Sequence, residues 1–380
     1  MQKLKRLRTT KTMFDLMVVA VPLLVASVTQ AAVMYDVTAL PRGTVTAEGI
    51  NDSGEITGIF ATSSGEEHAY IYSNGNVTDL GALTGGRNSY GLAINNNGQV
   101  TGWSDAAAGG PYGFLYSNGT MVNIGTLSTG GTADALPTDI NNNGQVVGNS
   151  EVANTGYEHA FLYTGGAMVD LGALPGQSFS SAQGINESGQ VVGWSSPGGG
   201  ILYAFLYSAE KMTDIGGPGS FATSINDNGQ VAGYFSVGGG AMDAFLYSNG
   251  SLTDIGALPG PPGDINTRAL AISDSGQVVG WSVASDGSYH AFSWTGAGGM
   301  QDLNNLISPN SPINPQSGWV FEQADGVNSN GDIIGTGLNV DGSSAFLLTP
   351  VPEPATLSVL ILCGLGLLAR KRRSPRRDDI

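Results

Sequence analysis

The chain has 380 residues, of which 58 are glycine and only 12% are charged. Residues 33–350 contain 27 acidic residues against four basic ones, so this body carries a net charge of −23. Such a surface repels phosphate backbones, which excludes nucleic acid as a partner. The single cysteine, Cys363, excludes an intramolecular disulfide framework.

The first 32 residues have the order of a secretory signal peptide. Five basic residues within the first 11 positions precede the apolar run LMVVAVPLLVASV, and the small residues TQAAV follow it. This succession of a basic, an apolar and a small-residue region predicts export, with cleavage after Ala31 or Ala32. Residues 1–32 are therefore assigned to the signal peptide.

Residues 33–350 contain seven repeats. A turn of the form Ile-Asn-x-x-Gly, such as INNNGQVVG at 140–148, recurs with minor changes at intervals of 40 to 55 residues. A strand such as HAFLY at 159–163 and another such as MVDLGAL at 168–174 follow each turn, except that the last repeat lacks the second of these. Asn and Gly accept the backbone conformations of tight hairpins, so each repeat is predicted to be four short antiparallel strands.

The two ends of the array predict a closed ring. The last repeat ends at SAFLLTP without a fourth strand, whereas MYDVTALP at 34–41 matches the fourth-strand pattern of LTDIGALP. An N-terminal strand that completes the last blade is a common way to close a β-propeller. The sequence therefore predicts an all-β protein, a seven-bladed β-propeller of four-stranded blades. A β-solenoid, in the form of a parallel β-helix with two coils per repeat, is the alternative.

The histidines do not form a predicted catalytic site. His68, His159 and His290 occupy the same position of three different repeats, so a ring would scatter them. No H-E-x-x-H or G-x-S-x-G motif is present either, and we predict that the protein is not an enzyme. The His-Ala-Phe strings at 159–161 and 290–292 make the repeats, roughly residues 46–349, resemble the HAF repeats of extracellular bacterial proteins. That resemblance implies no established activity.

Acidic residues recur on the fourth strand in six of the seven units, as at Asp170 and Asp254. On an outermost strand, a charge discourages edge-to-edge aggregation. Calcium binding with nearby loop oxygens is the alternative, but no turn fits the calcium-loop pattern D-x-[DN]-x-[DN]-G. We therefore predict no cofactor and no metal ligands.

Four tryptophans are candidate ligand contacts. Trp103, Trp194 and Trp281 each end a second strand, and Trp319 lies in the irregular segment 306–323. Exposed tryptophans stack on sugar rings, whereas packed ones fill the wedge between blades. We expect the first three to be wedge residues, so that each substitution costs roughly 3–5 kcal/mol. Segment 306–323 is predicted either to carry binding residues or to cover one mouth of the channel.

Residues 351–380 have the features of a sorting signal. Pro352, Glu353 and Pro354 precede the apolar stretch 355–369 and a basic cluster at 370–373. As a helix, the stretch spans about 22 Å, less than the hydrocarbon core of about 30 Å, and the basic cluster would remain cytoplasmic. This tail resembles the PEP-CTERM signal of Gram-negative bacteria. The resemblance implies transient anchoring in the inner membrane, recognition by an exosortase, and release to the cell surface or extracellular matrix.

Two classes of function remain. The favoured one is a non-catalytic surface or extracellular-matrix protein whose propeller binds a polysaccharide or a protein partner. With a charge of −23 on the body, we expect a direct partner to be a neutral glycan, a basic protein, or an anionic polymer bridged by divalent ions. The alternative is a propeller-fold hydrolase or lyase that acts on extracellular polysaccharide through acidic residues lining the central channel.

Overall fold

The computed structural model describes residues 33–107, 109–128, 134–261, 266–313 and 315–352. These residues form 28 strands and two 3₁₀ helices, the latter at Leu303–Asn305 and Pro315–Ser317. The strands are, in chain order, β1 (Tyr35–Ala39), β2 (Gly49–Ile50), β3 (Ile56–Ala61), β4 (Glu67–Ser73), β5 (Asn76–Asp79), β6 (Ser89–Ile94), β7 (Val100–Ala106), β8 (Gly109–Ser117), β9 (Thr120–Asn123), β10 (Ala135–Ile140), β11 (Val146–Glu151), β12 (Glu158–Thr164), β13 (Ala167–Gly172), β14 (Phe179–Ile185), β15 (Val191–Ser196), β16 (Tyr203–Ser208), β17 (Lys211–Pro218), β18 (Ser220–Ile225), β19 (Val231–Gly238), β20 (Ala241–Ser248), β21 (Ser251–Gly256), β22 (Thr267–Ile272), β23 (Val278–Val283), β24 (Tyr289–Thr295), β25 (Gly299–Asp302), β26 (Val320–Val327), β27 (Ile333–Asn339) and β28 (Gly342–Pro350).

Within the described residues, the strands form seven antiparallel four-stranded sheets, which are the blades. Blades 1 to 6 consist of four consecutive strands each, from β2–β5 to β22–β25, and blade 7 has the order β1-β28-β27-β26. The first strand of every blade contacts the first strand of the next one, and β26 contacts β2, so the ring closes around a central channel. The predicted seven-bladed β-propeller is confirmed, and the solenoid alternative is wrong.

Strand β1 closes the ring as predicted. It pairs with β28 from Tyr35 opposite Pro350 to Ala39 opposite Phe346. The irregular segment 306–323 covers the other edge of β1, because the amide of Tyr35 donates to the carbonyl of Leu306 at 2.8 Å. Of the described residues of this segment, Gln323, which already belongs to β26, lines the larger of the two channel cavities described below, and the others line neither.

The hydrophobic core is divided among the spaces between neighbouring blades. Leu171 of blade 3, for example, packs with Val191 and Phe205 of blade 4. Both faces of each sheet are therefore covered, which explains why the strands lack a strict apolar-polar alternation. Each third strand contributes one fully buried aromatic residue: Tyr70, Phe114, Phe161, Phe205, Phe245, Phe292 and Phe346.

The recurring turn joins neighbouring blades as well as two strands of one blade. In blade 3, Oδ1 of Asn141 accepts from the amides of Asn143 and Gln145 at 3.1 and 3.0 Å, which closes the hairpin. Its Nδ2 group donates to Oε1 of Gln145 at 2.8 Å and to the carbonyl of Asn186 in blade 4 at 3.1 Å. The buried Asn141 side chain thus makes four hydrogen bonds.

The same inter-blade bond recurs around the ring. Among the described turns it forms at six of the seven blade junctions, with lengths of 2.9–3.1 Å, from Asn51, Asn95, Asn141, Asn186, Asn226 and Asn328. Blade 6 carries Ser273 instead, whose hydroxyl bonds within its own turn to Ser275 and the amide of Gln277. We call this set the asparagine ring. The repeated turn sequence thus supplies the same inter-blade bond at six junctions.

Candidate ligand-binding channel

The first strands enclose a cavity of about 620 Å³, which we call the channel cavity. A second cavity, of about 210 Å³, lies inside the asparagine ring. Ile50, Ile94, Ile272 and Val327 line both cavities, so the apolar ends of the first strands lie between them. The channel cavity has the size of a typical small-ligand pocket, about 300–1,000 Å³.

One carboxylate of the channel cavity ties two blades together. Oδ1 of Asp139 accepts from the amide of Ile140 at 2.8 Å, and Oδ2 accepts from the amide of Ile185 in the next blade at 2.9 Å. Burial raises the pKa of Asp139 to about 7, against the lowering effect of these two bonds. Its hydrogen bonds give Asp139 a structural role.

Two further carboxylates of the channel cavity, those of Asp325 and Glu48, come from adjoining blades. Asp325 accepts hydrogen bonds from the amide group of Gln323 and from the hydroxyl of Thr336. Burial, with a smaller contribution from the charge of Glu48, raises the pKa of Asp325 to about 7. Burial also raises the pKa of Glu48. Near neutral pH Asp325 can therefore hold a proton, which ordinary surface carboxylates do not.

Aromatic and basic side chains form a stack at one end of the channel cavity. Trp194 lies 6.4 Å from Phe221, and the Phe221 ring stacks on Tyr234 with centroids 5.1 Å apart. The guanidinium carbon of Arg268 lies 4.7 Å from the centroid of Tyr234 and 5.3 Å from that of Trp281. We call these five residues the aromatic ladder. All five are half-buried, and all except Trp194 line the channel cavity.

Strand register explains how the ladder arises. Phe221 on a first strand pairs with Tyr234 on the second strand of blade 5, and Arg268 pairs with Trp281 in the same way in blade 6. Side chains of paired residues lie on the same face of a sheet, where they contact each other. The ring then places blade 6 beside blade 5, which brings Arg268 against Tyr234.

The structure separates the four predicted tryptophans. Trp194 and Trp281 belong to the ladder, whereas Trp103 stacks on Tyr90 in blade 2 with centroids 3.9 Å apart. All three are half-buried, so each keeps an exposed part in addition to its packed part. Trp319 is only 8% exposed and packs on Phe321 in the apolar cluster beneath β1.

Sequence reasoning did not identify three ladder residues: Phe221, Tyr234 and Arg268. The sequence signal that could have identified two of them is strand position. Arg268 lies opposite Trp281 on the paired strand, and Tyr234 occupies in blade 5 the position that Trp194 occupies in blade 4. Of the predicted sorting motif, Pro352 is the last described residue, and Glu353 and Pro354 lie outside the described residues. The signal peptide and the apolar stretch 355–369 lie outside them as well.

The histidines pair with the recurring acids of the fourth strand. Nδ1 of His68 lies 2.7 Å from Asp79, and Nδ1 of His159 lies 2.9 Å from Asp170. His290 contacts Asp302 in the same way. The three pairs lie in three different blades, as the repeat positions predicted.

Within the described residues, no three His, Cys, Asp or Glu side chains form a group that could hold a metal ion. The described part of the chain also has no helix that is long and apolar enough to cross a membrane. Neither finding concerns the terminal segments that lie outside the described residues.

No protein-family model matches the chain, and no curated protein matches it in sequence. Among solved structures, a puromycin-hydrolysing peptidase from Mycobacterium tuberculosis is similar with a TM-score of 0.52 and 11% identity, over 86% of this chain and 52% of that one. The β-propeller domain of the Trilobed protease from Pyrococcus furiosus gives a TM-score of 0.46 and 11% identity, over 70% and 86%. A lectin from Aleuria aurantia gives 0.34 and 12%, over 70% and 94%. At these identities the likeness shows the fold alone, a β-propeller.

Proposed function

We propose that the chain is a non-catalytic protein of the cell surface or extracellular matrix, and that its propeller binds polysaccharide at the aromatic ladder. The single observation that carries this proposal is the ladder itself, a half-buried stack of rings and a guanidinium group beside a cavity of about 620 Å³. Half-buried aromatic rings keep an exposed apolar part against which the apolar face of a sugar ring can pack. A few polar groups nearby then orient the ligand.

The polar groups of the channel cavity suit this role. Thr138, Gln183, Thr223 and Gln323 line the cavity together with the ladder. Their side chains donate hydrogen bonds within the protein, and their hydroxyl and amide oxygens can accept from sugar hydroxyls. The carboxylates of Asp139 and Asp325 already accept hydrogen bonds from the protein. That arrangement favours binding over catalysis.

The proposal also includes export of the protein to the cell surface. The signal-peptide pattern of residues 1–32 and the Pro352-Glu353-Pro354 tail support delivery to the surface through an exosortase. Replacing residues 352–354 by alanine should leave the protein uncleaved in the inner membrane. Membrane fractionation followed by immunoblotting checks this, and normal release of the variant to the surface would contradict the assignment of the tail.

A glycan array probed with the purified protein tests the binding proposal. Trp281→Ala should weaken binding to the glycans that are retained, because it removes a ring of the ladder. Trp103→Ala is the matched control, since Trp103 ends the equivalent strand of blade 2 and is also half-buried, but stacks on Tyr90 away from the ladder. Equal loss of binding in the two variants at equal stability would argue against the ladder, and an array without any retained glycan would refute polysaccharide binding.

A specific observation also favours the hydrolase or lyase. Glu48 and Asp325 line the same cavity, and burial raises the pKa of both. The pKa of Asp325 rises to about 7, and a carboxyl group that holds its proton near neutral pH can act as a general acid. Incubating the retained glycans with the protein and analysing them by mass spectrometry distinguishes the two functions. Shorter products that disappear with Glu48→Gln or Asp325→Asn would establish catalysis.

A further inference from the structure

Arg268 is a basic residue in predominantly acidic surroundings. It is one of four basic residues in the body 33–350, which carries 27 acidic ones. It nevertheless lines the channel cavity, where Glu48, Asp139 and Asp325 also lie. The rings of Tyr234 and Trp281 hold its guanidinium group at 4.7 and 5.3 Å from their centroids.

Part of the hydrogen-bonding capacity of this side chain is unused among the described residues. Nε of Arg268 is buried without a hydrogen-bond partner, and none of the ion pairs formed within the described residues includes Arg268. A guanidinium group has five N–H donors, and withdrawing such donors from water without a partner is costly. Aromatic stacking fixes the group in place, so it is preorganised to bind an acceptor that enters the cavity.

We infer that the channel cavity selects a glycan that carries a carboxylate, such as a uronic acid residue, and that Arg268 binds the carboxylate while Tyr234 and Trp281 pack against the sugar ring. This inference rests on the proposed function. A guanidinium group forms two parallel bonds with the two oxygens of a carboxylate, a geometry that neither a lysine nor an amide offers.

The charges of the cavity limit the ligand to a single negative charge at this point. One guanidinium balances one carboxylate, whereas a phosphate or a run of sulfates needs several cations, and the body supplies only three other basic residues. The acids that face the cavity repel a bound carboxylate only when they are ionised. Because burial raises the pKa of Asp139 and of Asp325 to about 7, a large fraction of each is protonated near neutral pH.

The test compares two oligomers that differ only in charge. The probes are a neutral oligosaccharide that ends in one galacturonic acid residue and the same oligosaccharide after chemical reduction of its carboxylate to an alcohol, titrated calorimetrically into the full-length purified protein. EDTA in the buffer removes divalent ions, so that bridging between the oligomer and surface acids does not contribute. We expect the acidic oligomer to bind more tightly than the reduced one.

Three variants test whether Arg268 is responsible for the difference in affinity between the two oligomers. Arg268→Gln should lower the affinity for the acidic oligomer by about tenfold to a hundredfold and leave the reduced oligomer unaffected. Arg268→Lys, which keeps the charge but not the planar fork, should give an intermediate loss and covers the case in which the Gln variant folds poorly. Arg87→Gln, which removes an exposed charge of the same body, is the control and should change neither affinity.

The outcomes separate the inference from the proposed function. Equal binding of both oligomers, unaffected by Arg268→Gln, overturns the carboxylate selection and leaves glycan binding standing. Loss of acidic-oligomer binding in Arg87→Gln as large as that in Arg268→Gln overturns the site. Binding of neither oligomer overturns the inference, and the glycan array then decides separately whether the proposed function also fails.

Discussion

Replacing one residue of the asparagine ring by alanine should destabilise the whole propeller. Asn141→Ala removes all four hydrogen bonds of a side chain that is only 3% exposed. Three of these bonds close the hairpin of blade 3, and the fourth reaches the carbonyl of Asn186 in blade 4. The substitution therefore weakens one blade and its junction with the next one.

The magnitude follows from the count and location of these bonds. A net contribution of about 1 kcal/mol per bond gives an upper figure of about 4 kcal/mol. Water at the nearby cavity of about 210 Å³ can reach part of the turn and replace some of the lost partners. We therefore expect a loss of about 2–4 kcal/mol in the free energy of unfolding.

Urea denaturation followed by circular dichroism measures this loss. Asn143→Ala is the control, because Asn143 is exposed in the same turn and its side chain donates only to Glu187, at 3.2 and 3.4 Å. We expect the control to lose less than about 1 kcal/mol. Because Glu187 lies in blade 4, Asn143 also reaches the next blade, but from an exposed position. Equal losses in the two variants would therefore refute the argument that burial of the Asn141 side chain makes its bonds stabilising.

Three further predictions follow from the fold. Ser273→Asn should stabilise the protein by up to about 1 kcal/mol, because it supplies the inter-blade bond to Asn328 that the ring lacks at this junction; a lower melting temperature than that of the parent would count against the ring. Deleting residues 33–41 exposes the edge of β28 and removes the buried side chains of β1, so the melting temperature should fall and light scattering should show aggregation. A monomeric variant with the parent's melting temperature would contradict closure by β1. Burial raises the pKa of Asp325 to about 7, above its value of about 3.9 in the unfolded chain, so the folded protein holds more protons than the unfolded chain between these pH values. The contribution of Asp325 to the free energy of unfolding therefore falls as the pH rises from about 4 to 7 and then levels off. Asp325→Asn should reduce that slope by up to about 1.4 kcal/mol per pH unit, and denaturation curves with an unchanged slope would contradict the raised pKa.

The fold could be predicted because its signals are local and repeated. An Asn-Gly pair such as Asn118-Gly119 adopts positive φ angles of 51° and 80° and turns the chain in two residues, wherever the rest of the protein lies. The missing fourth strand of the last repeat and its matching strand at 34–41 then determined closure. Such features depend on neighbouring residues alone, so a single sequence reveals them.

The candidate site depends on contacts between blades and was only partly predictable. Trp281 was predicted as a candidate ligand contact because a tryptophan recurs at this position of the repeat. Arg268 and Phe221 occupy a first-strand position whose residue type differs in every repeat, so no sequence pattern identifies them. Their partners lie in the neighbouring strand or blade, and only the register brings them together. For the same reason, the turn asparagines were recognised as hairpin residues while their bonds to a carbonyl 40–47 residues away, or 277 residues away for Asn328, were not.

A crystal structure of the protein with a bound acidic oligosaccharide tests the central claim most directly. We expect electron density for a sugar ring in the channel cavity, packed against Trp281 and Tyr234, with its carboxylate within hydrogen-bonding distance of the Arg268 guanidinium group. Density for the sugar on the outer surface of the blades, with the channel cavity free of ligand, would contradict the account.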